Sequence, residues 1–187
     1  MNKPWIKNKA SLSTSPERAA VLDIIEAGFD AIDTQQVIRN VVSVKGDILT
    51  VKDHSFNLKG VKNIYVVGFG KPSCMAASEL DNILGASIKE GVAIGLAPTS
   101  CEFISTYGGS HPRPTVQNVE VSEKIIELSK KVTDKDLVIV IVSGGGSSLL
   151  CWPMKECQQS NRLYKDFLKT GGDEAMINVA KLAIEAI

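Results

Sequence analysis

Leu137-Val138-Ile139-Val140-Ile141-Val142 runs into Ser143-Gly144-Gly145-Gly146-Ser147-Ser148, and this stretch decides the fold class. The continuous aliphatic run predicts the strongest strand in the sequence, and the glycine run predicts a loop at its carboxyl end. The same sequence logic appears upstream, where Ile64-Tyr65-Val66-Val67 enters Gly68-Phe69-Gly70-Lys71-Pro72-Ser73 and then a helix carrying Met75, Ala76, Leu80 and Leu84. Gly91 to Leu96 and Phe103 to Tyr107 read as two more strands. Thr115 caps a helix whose apolar stripe, Val121, Ile125, Leu128 and Val132, returns the chain to the 137–142 strand. Alternating strands and helices predict an α/β fold of three layers, with a mostly parallel sheet between helices.

Before this alternation the pattern differs. Thr14-Ser15-Pro16-Glu17 predicts a helix start capped by Thr14, with Val21, Ile24, Ile25, Gly28 and Ile32 along one helical face. Asp33, with Gln36 three residues on, opens a second helix through Val41. Ile48–Val51 and Phe56–Leu58 form a hairpin about Asp53-His54-Ser55. Residues 1–14 are read as a polar leader and residues 15–187 as one domain. Helical patterns close the chain over Arg162–Lys169 and Asp173–Ile187.

The 187 residues carry 21 Lys+Arg against 21 Asp+Glu, with scattered lysines, so the basic footprint of a nucleic-acid or anionic-membrane binder is missing. The longest apolar run is far short of the ~20 residues that span a bilayer, and the first 20 residues lack a secretory apolar core. A cytoplasmic protein is expected. Cys74, Cys101, Cys151 and Cys157 are irregularly spaced, and His54 and His111 are the only histidines, so free thiols are expected rather than a zinc site or disulfides.

Ligands of open parallel sheets bind beyond the carboxyl ends of the strands, where both glycine loops fall. Gly144, Gly145 and Gly146, flanked by Ser143 and Ser147, bring successive backbone N–H groups close to an oxyanion. Gly68 and Gly70 do the same in the first loop, where Lys71 adds a cation able to reach a phosphoryl group. Gly-x-Gly-x-x-Gly fails at Ser73, and no acidic residue closes the second strand, which disfavours a nicotinamide reductase. Neither loop is a P-loop, and Leu149 breaks the serine-hydrolase elbow at Ser147. Between the loops, in Gly108-Gly109-Ser110-His111-Pro112-Arg113-Pro114, His111 has the chemistry to orient a substrate and Arg113 to hold a carboxylate.

Taken together, Glu17-Arg18-Ala19 through Ala31-Ile32-Asp33, VVGFGKPSCMA (66–76), GGSHPRP (108–114) and DLVIVIVSGGGSSLLCWP (136–153) resemble the class II glycerate kinases, with a weaker match over 163–172. The resemblance implies a Rossmann-like N-terminal domain and ATP- and Mg²⁺-dependent phosphorylation of D-glycerate to 2-phosphoglycerate. It assigns Lys71 as the catalytic lysine and Ser143 to Ser147 as the glycine-rich active-site loop. Thr115 replaces the family's usual Asp and Pro72 its usual Ala. The family's C-terminal domain, catalytic arginine and remaining nucleotide motif have no counterpart here, so a truncated chain is expected, with little activity alone. A homodimer or a complementing C-terminal chain would complete the cleft. The alternative to a kinase is a non-catalytic nucleotide- or anion-binding remnant, and an NAD(P)-dependent hydroxypyruvate reductase stands third.

Overall fold

The structure, a computed structural model, describes residues 4–169, so the helical pattern expected over Asp173–Ile187 lies outside the described residues. The chain divides into two compact units, Met1–Lys59 and Gly60–Ile187.

In the first unit, helices α1 (Lys9–Leu12), α2 (Pro16–Ala31) and α3 (Thr34–Val41) precede an antiparallel sheet of β1 (Val42–Lys45), β2 (Ile48–Val51) and β3 (His54–Asn57). The cap of α2 is Ser15, not Thr14: its hydroxyl accepts the Arg18 N–H at 3.3 Å and donates to Glu17 at 2.7 Å. Asp33 caps α3 as its sequence predicts, accepting the Gln36 N–H at 2.7 Å. Residues expected to form a leader pack on α2. The Trp5 ring stacks on Phe29, and the Lys9 ammonium bridges Asp23 and Glu26. The hairpin turns at Lys52-Asp53, with Lys52 at φ +53°, and His54 is the first residue of β3 rather than part of the turn. Val21, Ile24 and Ile32, read as an apolar helix face, are exposed.

The second unit is α/β, with the expected parallel sheet and helices on both sides. Its strands are β4 (Ile64–Phe69), β5 (Ile88–Gly95), β6 (Ile104–Gly108) and β7 (Leu137–Val142), in the order β6-β5-β4-β7 and parallel throughout. Helix α4 (Ser73–Leu84) lies on one face and buries Cys74, Ala77, Leu80 and Leu84 there. Helix α5 (Val116–Ser129) covers the other, where Val121, Ile125 and Leu128 pack on Tyr65, Val67, Val92 and Ile94. Side chains as buried as Ile94 and Leu128 contribute about 1.5–3 kcal/mol each.

The chain leaves β4 in one direction for β5 and β6 and returns to the opposite side at β7, which makes the β4/β7 boundary a topological switch point. Strand β7 is the edge of the described sheet, and Val138, Val140 and Val142 are exposed because α5 lies over β5 rather than over them. After β7 come a single helical turn, α6 (Gly146–Leu149), and α7 (Met154–Lys169). The turn at Trp152-Pro153 brings Cys157 under Cys151, and the two form a disulfide with Cα atoms 5.8 Å apart, where free thiols were expected. Cys74 and Cys101 are free. Among the described residues no helix is long and apolar enough to cross a membrane.

Candidate active site

Three segments meet above the carboxyl ends of β4 and β7. The first follows β4. Gly70 has φ +124°, donates its N–H to Ile94 O at 3.2 Å and lies so close to Ser143 that an added Cβ would overlap the Ser143 backbone. Only glycine permits this approach. The second is the loop after β7. The Ser143 N–H donates to Phe69 O at 3.1 Å, the Lys71 N–H donates to Gly144 O at 2.9 Å, and the Ser73 and Ser143 hydroxyls are 3.1 Å apart. The two strand-end loops are therefore bonded to each other directly.

Gly145 takes a left-handed conformation, φ +83°. Its carbonyl accepts the Ser148 and Leu149 N–H groups, while the N–H groups of Gly144, Gly145, Gly146 and Ser147 donate to no group among the described residues. Consecutive unpaired donors in a turn form a concavity that favours an anion. The third segment, 108–114, is set by Gly109, whose N–H donates to Gly95 O at 2.7 Å. It carries His111 over the glycine loop. A Cβ built on Gly145 lies 2.9 Å from His111 Nε2 and 3.2 Å from Lys71 Cε, so imidazole and lysine flank the same glycine.

The structure thus brings Lys71, Gly70, Ser143, Gly144, Gly145 and His111 together. Ser147 is exposed on α6, and Gly146 packs on the Phe69 ring. Gly68 lies inside β4, where its close neighbour is the Ala93 Cβ at 3.0 Å, rather than in the loop. Arg113 is exposed, and no hydrogen bond or ion pair among the described residues joins it to either loop. Cys74 lies beneath the crevice; burial pushes its thiol up from the ordinary range and keeps it a donor to Tyr107 O at 3.4 Å. Among the described residues no group of three or more His, Cys, Asp or Glu side chains is arranged to hold a metal ion.

Asn118 carried no signal as a site residue, yet it is fully buried and hydrogen-bonded to both the His111 segment and the end of the glycine loop. The available signal was Thr115-x-x-Asn118, the spacing of a capping box with Asn in place of Glu or Gln.

A family model described as "Domain of unknown function (DUF4147)" matches residues 20–187. The chain belongs to this family. Glycerate 2-kinase of Pyrococcus horikoshii is 26% identical over 170 residues, which are 89% of this chain and 38% of that protein. Glycerate kinase of Danio rerio is 26% identical over 182 residues, 88% and 36% of the two chains. A crystal structure of a Pyrococcus horikoshii protein superposes with a TM-score of 0.73 at 25% identity, over 90% of this chain and 38% of that one. The crystal structure of glycerate kinase from Thermotoga maritima gives 0.63 at 21% identity, over 83% and 36%, and shares the fold. The family is that of the glycerate 2-kinases, and the chain corresponds to their N-terminal portion. It spans little more than a third of the length of these relatives.

Proposed function

We propose that the chain is the phosphate-binding module of a glycerate 2-kinase-type phosphotransferase, which transfers phosphate from ATP to the C2 hydroxyl of D-glycerate. The observation that carries this reading is the convergence of Lys71 and His111 on Gly145 at the switch point, in a loop whose Gly144, Gly145, Gly146 and Ser147 N–H groups donate to no group among the described residues. Lysine and fixed backbone donors stabilise charge on a phosphoryl oxygen without reorganising during the reaction. In the reaction the glycerate hydroxyl gives up its proton to solvent as its oxygen attacks the γ-phosphorus, the bond from that phosphorus to the bridging oxygen breaks, and ADP leaves. Lys71 offsets charge on the transferring group, the Gly144–Ser147 donors hold its oxygens in line, and His111 orients the hydroxy acid. The described residues fit a phosphate; among them no group of three or more His, Cys, Asp or Glu side chains is arranged to hold a metal ion, and no step is assigned to magnesium.

The second reading is a non-catalytic nucleotide- or anion-binding half, which the same backbone donors and Lys71 would also serve. Calorimetry with inorganic phosphate, ATP, D-glycerate and NADH tests both readings against a reductase. Saturable binding of a phosphate-bearing ligand is expected, with none of NADH. Lys71→Met should weaken the phosphate at least tenfold, about 1.4 kcal/mol. Equal affinity of variant and wild type overturns the role of Lys71. A coupled assay for ADP release then separates the two readings: Lys71-dependent turnover by the 187-residue chain assigns it a complete site, and binding without turnover assigns it the half.

A further inference from the structure

Helix α5 presents two polar side chains one turn apart, Asn118 and Ser122, both fully buried. Burying an amide and a hydroxyl costs stability unless their hydrogen bonds are made. Here they are. Asn118 Oδ1 accepts the Ser110 N–H and Thr115 N–H, each at 3.0 Å, and the Thr115 hydroxyl at 3.1 Å. Its Nδ2 donates to Ser110 O at 3.1 Å, Ser148 O at 3.1 Å and Leu149 O at 3.3 Å. Ser122 donates to Asn118 O at 2.8 Å and accepts the Cys151 N–H at 2.9 Å. One amide therefore grips the residue before His111 with both its ends, and with its donors it also grips the segment that leaves the glycine loop.

We propose that Asn118 is a positioning residue that fixes the His111 imidazole against the Gly144–Ser147 donors. The proposal rests on the reading of this crevice as an anion site. The two segments it joins, at Ser110 and at Ser148, are 38 residues apart in sequence, and His111, next to Ser110, lies against Gly145. A network of this kind in a low-dielectric interior has a defined geometry when all members are satisfied and loses it when one donor is replaced. Asn118→Asp keeps size and acceptors but removes both donors and sets a carboxylate oxygen against the carbonyls of Ser148 and Leu149. Ser122→Ala loosens the same exit segment at Cys151 without touching the His111 segment.

The test uses the full chain. Wild type, Asn118→Asp, His111→Ala, Ser122→Ala and the double variants of His111→Ala with each of the other two are titrated with inorganic phosphate by calorimetry, and the Gly144–Ser147 amides are followed by NMR without ligand. Asn118→Asp is expected to displace those amide resonances and to weaken phosphate about tenfold. In its background His111→Ala should have little further effect, whereas with Ser122→Ala the effect of His111→Ala should persist. If Asn118→Asp lowers the unfolding midpoint but leaves amide positions and phosphate affinity unchanged, the residue is merely structural and the proposal falls. Asn118→Ser, which retains a cap hydroxyl but not the reach to Ser148 and Leu149, replaces it if the aspartate variant does not fold, with the same two outcomes. Absence of phosphate binding by wild type overturns the anion reading instead, and the ligand-free amide shifts still decide whether Asn118 positions the loop.

Discussion

Lys71 and Gly144 are joined through their backbones, the Lys71 N–H donating to the Gly144 carbonyl at 2.9 Å. The candidate catalytic lysine is thus not simply near the glycine loop; its main chain is part of it. Seventy residues of sequence separate Ser73 from Ser143, yet their hydroxyls also meet, at 3.1 Å. Adjacency of β4 and β7 at the switch point produces both contacts, because parallel neighbours place their carboxyl ends side by side.

The glycines of this contact should differ sharply when replaced by alanine. Gly144→Ala meets nothing within 4 Å and should change stability by no more than about 0.5 kcal/mol. Gly145→Ala forces a side chain into a left-handed conformation, costing about 1–2 kcal/mol, and sets its Cβ against His111. It should fold and lose phosphate affinity. Gly70→Ala places Cβ 2.5 Å from the Ser143 carbonyl oxygen at φ +124° and should destabilise most. Urea unfolding of the three variants checks the order, and a Gly70→Ala as stable as Gly144→Ala would show that the loops do not touch.

Asp81 should be the polar residue on which strand β6 depends. Its buried carboxylate accepts the N–H groups of Glu102, Phe103 and Ile104 at 2.8, 2.9 and 3.0 Å, fixing the entry to that edge strand. Asp81→Ala leaves these donors without a partner, and loss of a single buried partner costs about 1–3 kcal/mol, more where the acceptor is charged. The expected result is a drop of at least about 3 kcal/mol by the same scale, with amide exchange accelerated at 102–104 before the centre of β5. Uniform acceleration across the sheet would refute a local role.

Much of this layout was legible because β-strand and loop signals are local. The aliphatic runs at 64–67 and 137–142 and the glycines behind them located the crevice, and Asp33 with Gln36 located a helix start. What stayed hidden depends on who neighbours whom. β7 reads as the strongest strand, and its sequence cannot report that the described sheet ends there. Cys151 and Cys157 match no paired-cysteine motif, and only the turn at 152–153 brings them together. Asn118 reads as an ordinary helix residue until Ser110 and Leu149 close around it. His111 was legible as a polar residue in a rigid loop, but its place over Gly145 follows from tertiary packing.

Acid should weaken the β4/β7 pairing through Asp136. Its carboxylate is held below the ordinary carboxylate range, first by the Thr133 hydroxyl and then by the Thr133 and Asn63 N–H groups, and Asn63 O accepts the Leu137 N–H where the two strands begin. A group whose folded-state value is depressed adds stability above its unfolded value, about 3.9 for Asp, and loses it as pH falls through the lower folded value. Stability should therefore fall with pH below about 4, and Asp136→Asn should flatten that limb while leaving the neutral-pH limb parallel to wild type. Urea midpoints between pH 3 and 7, scales set by that same reference value, measure it; identical acid limbs would remove Asp136 from the account.

The disulfide between Cys151 and Cys157 gives a prediction with a chemical count. Thiol titration of the unfolded, unreduced protein should find two of the four cysteines, Cys74 and Cys101, and reduction should expose all four. The bridge closes a loop with a sequence separation of only 6, for which chain entropy gives a stabilisation of about 2 kcal/mol. Reduction should lower the unfolding free energy by about that amount. Cys157 sits in the first turns of α7, and Cys151 is anchored to Ser122 on α5, so the loss should appear first as faster amide exchange in α7 rather than in the sheet. Cys157→Ser in the reduced state separates the bond from the packing of a buried sulfur, since it introduces a hydroxyl where the thiol is 2% exposed. Four reactive thiols in the unfolded, unreduced protein, with no change on reduction, would show that the two sulfurs are in contact but not bonded.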